Sequence, residues 1–210
     1  VDLIVVGHFG TTADFSAVST ASQLMQGITG IIIGLTTGVT VLIGQALGSG
    51  NSKKAGEITA GMTKLLIIIS IIFFAVLTLF APQALALLKI PAAAKGAGTA
   101  YIRICAAGVV FISAYNAISG LFRGVGNSKM PLVFILVACI VNIIGDLVLV
   151  GIFKMGAAGA ALATVLAQTV SVVFSVIYIL RGGLPFKITK ESFKKRGAVG
   201  RILKVGVPIA

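Results

Sequence analysis

Charge is what this sequence has least of. Only 10% of its 210 residues are charged, and five are acidic, against about a quarter charged in an average soluble domain. So few charges cannot cover a soluble core, and 58% hydrophobic residues exclude disorder as well. One histidine, two separated cysteines and five scattered acids provide no metal-ligand spacing. No nucleophile–base constellation and no phosphate-binding glycine loop appears, so the chain is not expected to be an enzyme or to carry a cofactor. Cys105 and Cys139 both lie in apolar runs and read as inert buried thiols. The class that remains is an all-α, polytopic membrane helical bundle.

Long uncharged runs are what the sequence has instead. A spanning helix needs about 20 apolar residues. Residues 15–52, 65–81, 104–122 and 155–180 carry no charge, and residues 130–153 are interrupted only by Asp146. These runs predict five complete spans. Residues 1–10 read as the tail of another and residues 198–210 as the head of one more, so the sequence is read as a piece that starts and stops inside helices. As one helix, residues 15–47 would reach about 50 Å against about 30 Å of hydrocarbon, so this element must protrude or bend. Its Gly27, Gly30, Gly34 and Gly38 read as sites of close helix packing. Turns are expected at residues 48–52, 124–128 and 182–185, and Pro82 and Pro91 should bracket a further connection.

The net charge of +12 comes from lysines and arginines placed between the apolar runs, which argues against nucleic acid as a partner. Beyond Leu180 stand Arg181, Lys187, Lys190, Lys194, Lys195, Arg196, Arg201 and Lys204; Lys53, Lys54, Arg123 and Lys129 fall on the same side, and only Lys89, Lys95 and Lys154 on the other. The positive-inside rule then places the loop 181–204 in the cytoplasm, below the plasma (inner) membrane, with the first helix running outward. Anionic-lipid binding by that loop is the lesser alternative.

Ionisable groups inside a membrane are costly and mark function by default. Asp2 lies eight residues before Gly10, and Asp146 five before Gly151, on helices that both run outward. Counting at 1.5 Å per residue puts both acids about 8–12 Å below the outer helix ends. Asn142 shares a face with Asp146, four residues away. Thr164 stands eight residues after Gly156 on the next helix, at a similar depth, with Gln168 one turn deeper. Two carboxylates in a low dielectric resist ionising together, so the pair could hold a proton. Alternatively Na⁺ could neutralise them, with Asn and Thr oxygens completing its shell. The competing reading is that Asp146 and Asn142 only bridge helices. Gln23, Gln26, Tyr115, Asn116 and Gln168 are candidate cavity-lining residues or helix ties. Arg103 reads as a snorkelling cation and His8 as an interfacial residue.

Residues 1–10 (VDLIVVGHFG), 44–51 (GQALGSGN), 120–131 (GLFRGVGNSKMP), 142–146 and 156–164 (GAAGAALAT) together resemble the multidrug and toxic compound extrusion (MATE) transporters. No single motif is specific; their order and spacing are. The resemblance implies a six-helix amino-terminal lobe over residues 1–196, its first helix truncated, with a basic loop at 181–196. Residues 197–210 would begin the seventh helix of a second lobe of the same polypeptide. It further implies a cation site at Asp2, Asn142, Asp146 and Thr164, with H⁺ or Na⁺ as coupling ion. The implied activity is antiport of drug-like organic cations and amphiphiles out through the membrane by alternating access. Two other readings are a lipid-linked oligosaccharide flippase of the same superfamily and a non-transporting membrane scaffold. A flippase should aim several basic residues at its cavity, and Arg103 is the one candidate.

Overall fold

The computed structural model describes residues 1–194 and 197–209; Lys195 and Arg196 of the basic loop, and Ala210, lie outside the described residues. Among the described residues there are helices and no strands. They are α1 (Asp2–Phe9), α2 (Thr12–Gly48), α3 (Ser52–Leu87), α4 (Lys95–Ala107), α5 (Val109–Gly124), α6 (Lys129–Asp146), α7 (Gly156–Leu180), α8 (Lys190–Lys194) and α9 (Gly197–Gly206). A 3-10 turn (Ala92–Ala94) precedes α4, and a π-helical segment (Leu147–Ile152) extends α6.

The long elements follow the uncharged runs, because apolar residues that must satisfy every backbone polar group internally do so as helix. Helices α2, α3, α7 and α6 with its π extension are each long and apolar enough to cross a membrane. Residues 92–107 and α5 are long and apolar enough only when taken together, with a bend of 55° between them. This bend departs from the straight run expected at residues 104–122. It falls at Gly108, where an added β-carbon would stand 2.4 Å from Val165 Cγ2 of α7; glycine is a usual site for such a kink. Helix α3 also continues through Pro82 to Leu87, so the connection expected to begin at Pro82 is confined to residues 88–91. Cys139 is exposed rather than buried, while Cys105 is buried. Residue 139 falls on the outward stripe of α6 that also carries Leu132, Leu136 and Ile143, a surface that suits lipid.

The chain forms two compact units, and α2, α3, α5, α6 and α7 contribute a segment to each. One comprises residues 1–28, 70–112 and 136–170. Its core is built from Val6, Val18, Leu85, Ile102, Val150 and a run of alanines on α7, Ala157, Ala160 and Ala161. Small side chains bring helices close: a β-carbon on Gly145 of α6 would lie 2.9 Å from the Ala163 β-carbon of α7.

The other unit comprises residues 29–69, 113–135 and 171–210. Within it the Thr40 hydroxyl of α2 donates to the Gly120 carbonyl of α5 at 2.9 Å, and Ser171 of α7 donates to the Phe134 carbonyl of α6 at 2.9 Å. Phe122, Phe134, Phe174 and Tyr178 stack through edge and tilted contacts. Helix α9 buries Ala198, Ile202 and Gly206. Its backbone at Gly206 comes so near Gly38 that a β-carbon there would lie 2.7 Å from Gly206 Cα.

Candidate functional site

The site is assembled around the short helix α1. Gly10 ends α1 in an extended conformation; a β-carbon there would meet the Val6 carbonyl at 2.7 Å, so only glycine makes this corner. Thr11 and Asp14 then start α2 as a reciprocal capping box. The Asp14 N–H donates to Thr11 Oγ1 at 3.1 Å, while Asp14 Oδ2 accepts the Thr11 N–H at 3.1 Å and the Thr11 hydroxyl at 2.7 Å. Asp14 Oδ1 also accepts the Ala157 N–H at 3.1 Å, which caps the first turn of α7. Helix α1 packs on the π-helical segment that follows Asp146. That segment is defined by wide-turn bonds such as Phe153 N–H to the Val148 carbonyl at 2.9 Å, a geometry that recurs at functional positions.

Thr164 of α7 joins this frame to α1 and α6. Its hydroxyl donates to Asp2 Oδ2 at 2.9 Å and accepts from the Asn142 side-chain amide at 3.4 Å. Asp146 lies alongside, 0% exposed, and close enough to Asp2 for the two carboxyl groups to repel when both are ionised. A proton or a cation between two such groups removes that repulsion. No donor among the described residues reaches either oxygen of Asp146. A fully buried carboxylate without a partner is among the costliest arrangements a fold can hold. The structure therefore brings Asp2, Asn142, Asp146 and Thr164 to one place, where oxygens outnumber donors. Such a donor set suits a proton or a hard monovalent ion; among the described residues, no group of three or more His, Cys, Asp or Glu side chains gathers as a transition-metal site would require.

Tyr101, which the sequence does not single out, and Cys105, which it marks only as a buried thiol, stand one turn apart on α4 and border the same pair. The charges of Asp2 and Asp146 reach Tyr101, and that of Asp2 reaches Cys105. Tyr101 is 4% exposed. Nothing in its spacing distinguishes it from an interfacial tyrosine, so the sequence carries no signal for it. Asp14 did have a signal, the T-x-x-D pattern at residues 11–14. Gln168 keeps a buried Oε1 without a partner among the described residues, one turn along α7 from Thr164. Gln23 and Gln26 are exposed on α2, and Tyr115 and Asn116 are half-buried on α5. None of these four joins the Asp2–Thr164 hydrogen bonds. His8 and Arg103 are exposed.

Two comparisons with curated proteins and one with solved structures agree with this architecture. The probable multidrug resistance protein YpnP of Bacillus subtilis is 29% identical over 99% of this chain and 46% of its own length. The probable multidrug resistance protein NorM of Thermotoga maritima is 26% identical over 100% of this chain and 46% of its own length. A solved structure described as MATE in the bent conformation superposes with a TM-score of 0.92 at 22% identity, covering 99% of this chain and 46% of that one. The chain thus spans about half the length of the curated relatives it matches. Residues 1–148 match the MatE family itself. With several apolar spans and a family match over more than half its residues, the chain is an integral multi-pass membrane protein that belongs to the MatE family.

Proposed function

We propose that this chain is the amino-terminal lobe of a cation-coupled multidrug efflux antiporter, with Asp2, Asn142, Asp146 and Thr164 as its ion-coupling site. The observation that carries the reading is Asp146: a carboxyl group 0% exposed, without a donor, beside a second carboxyl. Left ionised and empty, that pair costs several kcal/mol or more. A proton or Na⁺ removes the cost, so occupancy of the site and the packing of α1 against α6 and α7 are thermodynamically linked. Coupling to export follows if the ion favours one arrangement of these helices and an organic cation or other amphiphile the other. The ion then shifts the population in proportion to its differential affinity. Alternating access between this lobe and a second lobe of the same polypeptide would carry the substrate across. The charge asymmetry of the loops supports a cytoplasmic 181–204 segment in the plasma membrane, with the acid pair in the opposite half of the bilayer.

A flippase of pyrophosphate-linked sugars would need several cations aimed inward; Arg103 is exposed on α4, and no other observation favours that reading.

The test is efflux by the full-length protein in proteoliposomes, with a Na⁺ gradient and a pH gradient imposed separately. Wild type should respond to one of them. Asp146→Asn should fold, judged by an unaltered gel-filtration profile, yet lose gradient-driven efflux. Unchanged gradient-driven efflux by that variant would discard the proposal.

A further inference from the structure

Asp14 does more than begin its own helix. Its two oxygens are divided: Oδ2 serves the Thr11 cap of α2, and Oδ1 accepts the Ala157 N–H on α7. The α7 side of this contact is shaped to receive it. Gly156 adopts φ +53°, and a β-carbon there would lie 2.4 Å from Asp14 Oδ1. Close by, the Lys154 ammonium lies 5.0 Å from the centre of the Phe9 ring, and Phe9 also faces Gly151 of the π-helical segment.

The spacing of these contacts gives them a mechanical meaning. From Asp2 to Phe9 is seven residues along α1, and from Ala157 to Thr164 is seven along α7. At 1.5 Å per residue, both correspond to about 10 Å. Helix α1 is therefore held to α7 by two rungs, one direct at Asp2···Thr164 and one indirect at its far end, where the Gly10 corner leads into α2 and Asp14···Ala157 fixes the start of α2 to α7. A helix tied at one point can pivot about it; tied at two, its tilt is fixed. With the upper rung gone, a tilt of about 10° over a 10 Å arm moves the carboxyl by about 2 Å, enough to break a hydrogen bond of ordinary length.

We infer that Asp14 is a positioning residue for the acid pair: its bond to Ala157 holds α1 at the tilt that aligns Asp2 with Thr164 and Asp146, and so sets the affinity of the site for its ion. The effect on ion affinity rests on the antiporter reading above; the effect on helix geometry does not.

Three variants of the full-length protein separate this role from capping. Asp14→Ala removes both functions. Asp14→Glu keeps a capping box, since glutamate serves at this position, but its extra methylene has no room beside Gly156. Asp14→Asn keeps an oxygen for Ala157. If the aligned arrangement falls to about one part in ten, the half-saturating Na⁺ or H⁺ concentration for efflux rises roughly tenfold. That rise is expected for Ala and Glu, with the maximal rate preserved, and Asn should recover most of the wild-type value. Spin labels at exposed Leu3 and Leu166, in a background without other accessible cysteines, give a readout independent of transport. Their distance distribution should broaden in Ala and Glu and stay narrow in Asn. A wild type indifferent to both ions would refute the antiporter reading and leave the label distances to decide the positioning role. Narrow distances in Asp14→Glu, or an unshifted half-saturation in an ion-dependent protein, would overturn the inference.

Discussion

Gly145→Ala puts the packing beneath the site to a test of sign. In a helix interior alanine is favoured over glycine by about 1 kcal/mol, so on propensity alone the substitution stabilises. The structure opposes this. The new β-carbon would stand 2.9 Å from Ala163 Cβ, whereas carbon atoms rest at about 3.5–4.0 Å. Helices α6 and α7 must therefore part by roughly 1 Å, and overpacking of this kind costs about 1–3 kcal/mol. The Asn142–Thr164 bond, already 3.4 Å long, does not survive such a shift. Gly145→Ala should thus lower the thermal or denaturant stability of the full-length protein, or leave it level, and weaken its ion response. In an Ala163→Gly background the nearest obstructing carbon is gone and only the Cα of residue 163, at 3.2 Å, remains close, so the same substitution should lose most of its penalty and move toward the gain of about 1 kcal/mol that propensity gives. The assay is unfolding of all four proteins of this cycle in one detergent. An effect of equal sign and size in both backgrounds would refute the reasoning, because the contact would then not be what limits the approach of α6 and α7.

Two other substitutions address the site directly. Asp2→Asn leaves a side chain that still accepts the Thr164 hydroxyl but cannot share a charge with Asp146; it should lose most of the Na⁺ or pH dependence of efflux, and a normal ion dependence would count against its role. Thr164→Val removes the one hydroxyl that touches both Asp2 and Asn142. A net hydrogen bond is worth about 1 kcal/mol, somewhat more to a charged partner, so the half-saturating ion concentration should rise roughly tenfold while the maximal rate changes little; an unmoved half-saturation contradicts the bridging role.

Which features were legible in the sequence follows from the kind of physics that produces them. Spans are a property of length and apolarity, so the uncharged runs locate α2, α3, α6 and α7 with little ambiguity. Helical rise is nearly constant, so counting from Gly10, Gly151 and Gly156 assigns Asp2, Asp146 and Thr164 to one level. Counting cannot say which way a side chain turns, and the hydrogen bonds at Thr164 depend on how α1, α6 and α7 pack. Nothing in LVLVGI distinguishes the π-helical segment 147–152 from an ordinary helix; it lies where α1 packs. The bend at Gly108 depends on Val165, distant in sequence. The T-x-x-D signal at residues 11–14 is local and marks a helix start, but it carries no trace of the bond from Ala157, distant in sequence. Cys139 shows a limit of the buried-thiol rule: a helix in lipid turns apolar residues outward as well as inward.

The central claim is that Asp2 and Asp146 share one small cation. Counting bound ions tests it most directly, by tracer Na⁺ binding and proton uptake on the purified full-length protein, in wild type and in the double variant Asp2→Asn/Asp146→Asn. The account predicts that wild type binds one monovalent cation more per chain than the double variant, as Na⁺ or as H⁺. A difference of zero, or of two, would contradict it.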